Sequence, residues 1–363
     1  MASAKLRSFL SPMHRSSIQL FSALNLSSSA ELKESVRAAV ESKRYEQIPE
    51  LLAAAEQSLQ NHNPFSFLSA FPENVRISVV DDILQSFIPL RPRSRPFKAY
   101  SCLLSYTLQS SNPLPIALAV LQRILRSGCL PTPQTHLLLS NAWIKRRKQL
   151  LSVSDLLSEM KSIGYSPDSG TCNYLISSLC KVDQLREAVS VLKGMGRGGC
   201  VPDLDSYGSL IAELCELRMI DAAVEMVREM VVRVGLNPRQ DVLVKVLGAM
   251  RANKEIWRAV KMVEMLEAEG VHLGFECFEL VLEGCIECRQ FVLAGKFVMN
   301  MTKKGFIPYI RVRQRLVEGL AEVGEWELGN AVRQRFAELN SYLRSSGLGV
   351  LIGHELFCIG KSG

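Results

Sequence analysis

The stretch Ser166–Asp203, SPDSGTCNYLISSLCKVDQLREAVSVLKGMGRGGCVPD, opens and closes on a Pro-Asp pair, and Pro167 and Pro202 stand 35 positions apart. Between the two pairs run two apolar stripes. Tyr174, Leu175, Leu179 and Cys180 form the first. Lys181-Val182-Asp183 interrupts it, and Leu185, Ala188, Val189, Val191 and Leu192 form the second, which Gly199 ends. Apolar residues recurring every three or four positions line one face of an α-helix. A glycine past the last turn accepts a left-handed backbone, and a proline beyond it cannot continue the helix. The stretch reads as two helices joined by a tight turn.

The pattern returns on both sides. Gly128, Gly164, Gly199, Gly235, Gly270 and Gly305 are spaced 36, 35, 36, 35 and 35, each just ahead of a candidate turn (CLPT, YSPD, CVPD, LNPR, VHLG, FIPY). Ala188, Ala223, Ala259 and Ala294 make a second column, and Met195, Met230, Leu266 and Met301 a third. Three columns in one period identify a repeat array. A lone hairpin cannot cover its own apolar face, so neighbours must stack, with the small alanine letting paired helices approach. The expected fold is all-α.

Thr171-Cys172-Asn173-Tyr174-Leu175-Ile176 and Leu179-Cys180-Lys181, followed by Ala188, Met195, Gly199 and Pro202-Asp203, resemble the pentatricopeptide repeat, in its plain class (P-class) built of repeats alone. The related 34-residue tetratricopeptide pattern of Trp, Gly and Tyr is absent. The resemblance implies a right-handed α-solenoid, with seven hairpins over residues 97–340 beginning near Phe97, Pro133, Ser169, Leu204, Gln240, Phe275 and Ile310. Residues 31–96 read as a degenerate helical region ending in the loop-like Arg91-Pro92-Arg93-Ser94-Arg95-Pro96, and residues 341–363 as a tail. The tail's apolar LGVLIGHELFCIG either caps the last hairpin or lacks order.

Residues 1–30 are Ser-rich, carry Lys5, Arg7 and Arg15, and hold no acid before Glu31. This is the composition of an organellar transit peptide, the alternative being a disordered soluble end. Plant organelles are the family's usual setting, so the expected site is the mitochondrion, with the chloroplast as alternative. No stretch approaches a membrane span. Of the net charge of +7, the remainder of the chain keeps 40 Lys and Arg against 36 Asp and Glu, which permits nucleic-acid contact without demanding it. The ten cysteines are scattered in apolar helical runs and read as reduced core thiols.

The resemblance also implies single-stranded RNA as partner, held by the first helix of each hairpin. The fifth residue and the last residue of a unit read one base together. Asn173 and Asp203 hold those places in the third unit, a uracil-preferring pair in the family. Other units give Ser101 with Thr132, Leu137 with Asp168, Gly208 with Arg239, Val244 with Gly274, and Glu279 with Tyr309. Leu137, Gly208 and Val244 offer a base no side-chain hydrogen bond, so no target sequence can be read. The second place holds Gln134, Gly170, Asp205, Asp241, Glu276 and Arg311; the thirteenth holds Lys145, Lys181, Glu216, Ala252, Glu287 and Glu322. Acids repel phosphate, so these columns favour RNA on units two and three and disfavour it from unit four onward. Lys145-Arg146-Arg147-Lys148 adds four positive charges in the favoured part, either as a phosphate-binding patch or as a solvated turn. The acidic places suggest a second reading, a scaffold for a basic organellar protein such as one of the ribosome.

Other motifs resolve without chemistry. Gly194-Met195-Gly196-Arg197-Gly198-Gly199 fits G-x-G-x-x-G, but a dinucleotide site needs a strand before it and a helix after it. Cys285-Ile286-Glu287-Cys288 has no second pair to complete a four-ligand zinc site. His354 and Cys358 show no base–orienter arrangement. Trp143, Trp257 and Trp326 lie in hairpin stripes and read as core. The expectation is a binding protein with no catalytic residue, metal or cofactor.

Overall fold

The computed structural model describes residues 29–54, 63–110, 113–149 and 152–345; the transit-peptide reading and most of the tail fall outside them. Among the described residues there are helices and turns and no strands. They fall into two compact units, Met1–Val201 and Pro202–Gly363.

In the first unit α1 (Ser29–Glu41) and α2 (Ile48–Ala54) flank a short 3-10 turn, and α3 (Glu73–Ser86) follows. Three hairpins come next: α4 (Phe97–Leu108) with α5 (Leu114–Arg126), α6 (Gln134–Arg147) with α7 (Val153–Ser162), and α8 (Ser169–Cys180) with α9 (Leu185–Gly198). First helices α4, α6 and α8 pack in series, as do second helices α5, α7 and α9. The motif at Gly194–Gly199 serves the second row. A Cβ on Gly194 would lie 2.6 Å from Val153 Cβ, and one on Gly198 2.9 Å from Leu157 Cδ1, so α9 reaches α7 through missing side chains. Gly199 is the left-handed stop (φ +88°).

The second unit holds α10 (Leu204–Glu216) with α11 (Ile220–Arg228), α12 (Gln240–Ala252) with α13 (Ile256–Ala268), α14 (Phe275–Glu287) with α15 (Phe291–Lys303), and α16 (Ile310–Glu322) with α17 (Trp326–Ser345). Helices α10, α12, α14 and α16 pack on one another in series, whereas α11 and α13 each wedge between their own first helix and the next.

The three sequence columns have their physical reasons. Ala188, Ala223, Ala259 and Ala294 are completely buried, and Met195, Met230, Leu266 and Met301 nearly so. All six spacer glycines have positive φ. One of the two 36-residue intervals, from Gly199 to Gly235, contains a π-helical turn at Glu229–Arg233. There the Leu236 amide bonds Met230 O, one residue further back than in the hairpins ending at Gly199 or Gly270, where Cys200 bonds Met195 O and Val271 bonds Leu266 O.

A further column appears at the turn inside the five hairpins from α8 onward. Asp183, Arg218, Lys254 and Arg289 all have φ near +60°, and Gly324 continues the series. In each case the next amide reaches back five residues, as Gln184 does to Leu179 O and Glu255 to Met250 O, which closes the carbonyl end of the first helix. Lys43 (φ 55°) repeats this turn after α1, with Arg44 bonding Ala39 O, so residues 29–54 carry the same hairpin corner.

One expectation is corrected. Trp143 is fully buried, but Trp257 and Trp326 are 60% and 64% exposed. Trp257 sits one position past buried Ile256, about 100° round the helix, with the Lys261 ammonium 5.7 Å from its ring centroid. Trp326 aligns with Ile256 and Phe291. Those two are covered by Gly284 and Gly319 of the following hairpin, and no further hairpin follows Trp326 among the described residues.

Candidate nucleic-acid interface

Most of the first helices begin just after the last residue of a unit, which the resemblance assigns to base reading, and two of those residues cap the helix with their side chains. Asp168 is the N-cap of α8. Its carboxylate accepts from Thr171 N at 2.9 Å and Thr171 Oγ1 at 2.6 Å, and pairs with Arg126 Nη2 at 2.9 Å. Burial raises this carboxyl, but the Thr171 and Arg126 hydrogen bonds outweigh it and hold Asp168 below the usual carboxylate range. Asp203 is the N-cap of α10 and forms a capping box with Ser206. Asn173 lies half-buried on α8 in the first unit, while Asp203 belongs to the second.

Asp168→Ala is therefore expected to destabilise the chain by about 0.5–2 kcal/mol, while Asp168→Asn, which keeps an acceptor over Thr171 N, loses less. Urea unfolding separates the two. The wild-type advantage is present above the unfolded carboxyl's titration and fades as pH falls through the depressed native value. Equal losses in both variants count against the capping role.

The basic run at the end of α6 is not one open patch. Arg146 bonds Glu159 at 2.5 Å and Gln149 at 2.9 Å. Arg147 Nε donates to Glu187 Oε2 at 3.0 Å, and Trp143 Nε1 donates to the same oxygen at 3.2 Å. Both arginines are half-buried. Lys145 and Lys148 are exposed, and no ion pair holds either of them among the described residues. Ser101 donates its hydroxyl proton to Phe97 O at 3.0 Å, which leaves its lone pairs for an incoming donor.

Lys181 closes α8 beside a polar cluster. Its Nζ lies 2.8 Å from His136 Nε2; His136 Nδ1 lies 2.8 Å from Ser178 Oγ; and the His136 ring stacks on Tyr174 at 4.7 Å and 12°. Burial, and then the Lys181 charge, hold His136 below its ordinary pKa. His136 and Ser178 carry no motif. Their partners stand 42 and 45 positions away, and only the stacking register brings them together.

In the second unit the thirteenth place is occupied differently. Glu287 is gripped by Arg251 of the preceding hairpin at 2.5 and 2.9 Å, with Glu283 on the same guanidinium at 2.6 Å. The Arg251 hydrogen bond outweighs burial and lowers the Glu287 pKa. Glu322 meets Arg289 at 3.5 Å, and Asp205 of the second place pairs with Arg239. Glu279 and Tyr309, the fifth and last residues of one unit, do meet: the Tyr309 amide donates to Glu279 Oε1 at 3.3 Å. Cys285 is buried and Cys288 half-buried, and no group of metal-ligating side chains occurs among the described residues. No described helix is long and apolar enough to cross a membrane.

Family models and known proteins match this chain. A model of the PPR repeat family matches residues 167–216, and one of the PPR repeat matches residues 205–233. A pentatricopeptide repeat-containing protein of Arabidopsis thaliana is 56% identical over 317 residues, 87% of this chain and 92% of that one. The crystal structure of the pentatricopeptide repeat protein PPR10 from maize is 14% identical with a TM-score of 0.38, over 92% of this chain and 57% of that one. The PPR10 crystal structure in complex with an 18-nt psaJ RNA element is 19% identical with a TM-score of 0.41, over 88% of this chain and 49% of that one. The chain thus spans about half the length of these solved structures. With its 35-residue hairpins and its identity to the Arabidopsis relative over most of both lengths, the chain belongs to the pentatricopeptide repeat family.

Proposed function

We propose that this chain is an organellar adaptor that grips a short single-stranded RNA on the first helices of the hairpins in residues 97–201, and so acts in RNA processing, stability or translation. Its mechanism is occupancy rather than bond chemistry: bound protein blocks a nuclease, holds a strand open or recruits a factor. Family membership supports the reading. The observation that carries it is the contrast at the thirteenth place, where Lys145 and Lys181 are exposed on the first unit while Glu287 and Glu322 of the second are paired with arginines. The N-terminal composition supports the organelle, with the mitochondrion ahead of the chloroplast.

Crosslinking of bound RNA followed by peptide mapping tests this. Adducts are expected on α4, α6 and α8, with binding that weakens steeply as salt rises. Adducts mainly between Leu204 and Leu339 overturn the placement. A defined protein that co-purifies after nuclease treatment, with no RNA adducts at all, supports the scaffold reading instead.

A further inference from the structure

Lysine has no acceptor, so the 2.8 Å contact between Lys181 Nζ and His136 Nε2 has one reading: Nε2 carries the lone pair. The imidazole proton then sits on Nδ1 and points at Ser178 Oγ, 2.8 Å away. Ser178 must accept there, and its own proton goes to Tyr174 O at 2.7 Å. Every proton of the relay is assigned. The lowered His136 pKa agrees with a neutral ring, and the Tyr174 stack restrains ring rotation. One ammonium N–H is thereby used and two remain.

We propose that His136 is a positioning residue: it fixes the Lys181 ammonium at the end of α8 so that the two remaining N–H groups meet a phosphate of the bound strand. This rests on the reading that the first unit binds RNA. A free lysine must give up its rotamer freedom on binding, whereas a held one has already done so. Lys145, at the same place one hairpin earlier, has no such clamp among the described residues, which makes it an internal control.

The full chain is first used to enrich RNA from a random single-stranded pool, and affinity and salt dependence are then measured on the enriched RNA. If nothing is enriched, the RNA-binding reading itself fails. Given binding, Lys181→Met is expected to reduce the slope of log K against log salt by about 0.7, one single-strand phosphate. His136→Phe keeps an aromatic ring over Tyr174 and removes the acceptor; it is expected to weaken binding about two- to tenfold, with His136→Gln in between. The decisive comparison is the double variant. Adding His136→Phe to Lys181→Met is expected to cost nothing further, whereas adding it to Lys145→Met costs its full effect. A full further loss in the Lys181→Met background overturns the proposal. Nitrogen-15 NMR of the unmodified chain gives a readout that needs no variant to fold: neutral His136 protonated on Nδ1 supports the relay, and protonation on Nε2 overturns it.

Discussion

Replacing Gly319 with alanine is expected to destabilise the second unit by about 1–3 kcal/mol. A Cβ at Gly319 on α16 would overlap three carbons of the Phe291 ring, at the start of α15. A ring cannot yield as a flexible side-chain end does, so the helices must part or the ring must leave its site. Helix propensity opposes the loss by about 1 kcal/mol, since alanine is the better helix former. Gly248 on α12 isolates that term: nothing lies within 4 Å of its Cβ position. Gly248→Ala is expected to stabilise by about 0.5–1 kcal/mol. Urea unfolding should give the two substitutions opposite signs; a stabilising Gly319→Ala refutes the contact. Phe291→Leu is expected to relieve part of the Gly319→Ala loss.

Glu279→Gln is expected to stabilise the second unit at pH 8 by an amount on the order of 3 kcal/mol. Glu279 is buried on α14, and its Oε2 has no hydrogen-bond partner. Burial pushes its carboxyl up to about 7, against the lowering effect of the Tyr309 amide; nearby Glu283 adds to the rise, and Arg251 and Arg313 oppose it. A carboxyl whose native pKa is raised contributes most when protonated. Its contribution is complete below the unfolded value near 4.5 and is lost as pH rises through about 7. Glutamine keeps an acceptor for Tyr309 N and cannot ionise. The two proteins should be similarly stable at pH 5 and diverge by pH 8, with slower hydrogen exchange in α14 and α16 of the variant. A difference that does not change with pH removes Glu279 as the titrating group.

Much of the fold was legible because the repeat marks its own ends. Glycine alone enters the left-handed region cheaply, so Gly128 to Gly305 showed where each second helix stops. The corners inside the hairpins were not legible. Asp183, Arg218, Lys254 and Arg289 adopt the same left-handed backbone, and only Gly324 betrays it by residue type. There the closing hydrogen bonds and the packing of the second helix offset a cost of about 1 kcal/mol per residue. The exposure of Trp257 and Trp326 was hidden for a related reason: period shows which residues share a face, but coverage depends on whether a neighbouring hairpin lies over it.

The candidate site divides along the same line. Lys145 and Lys181 could be placed from their register, because a helix end is set by residues three or four positions away; that Asp168 and Asp203 cap the helices they precede came only with the structure. What each charge can do was decided by partners further off. Arg146 and Arg147 are committed to Glu159 and Glu187, Glu287 is held by Arg251, and Lys181 is tethered to His136. By itself the sequence determined the hairpin, its period and the turns between hairpins, since backbone preferences reside in single residues and short spacings. Only the tertiary structure decided which charges stay open to a partner, because side chains some 13 to 45 positions apart meet only once the stacked helices set their directions and distances.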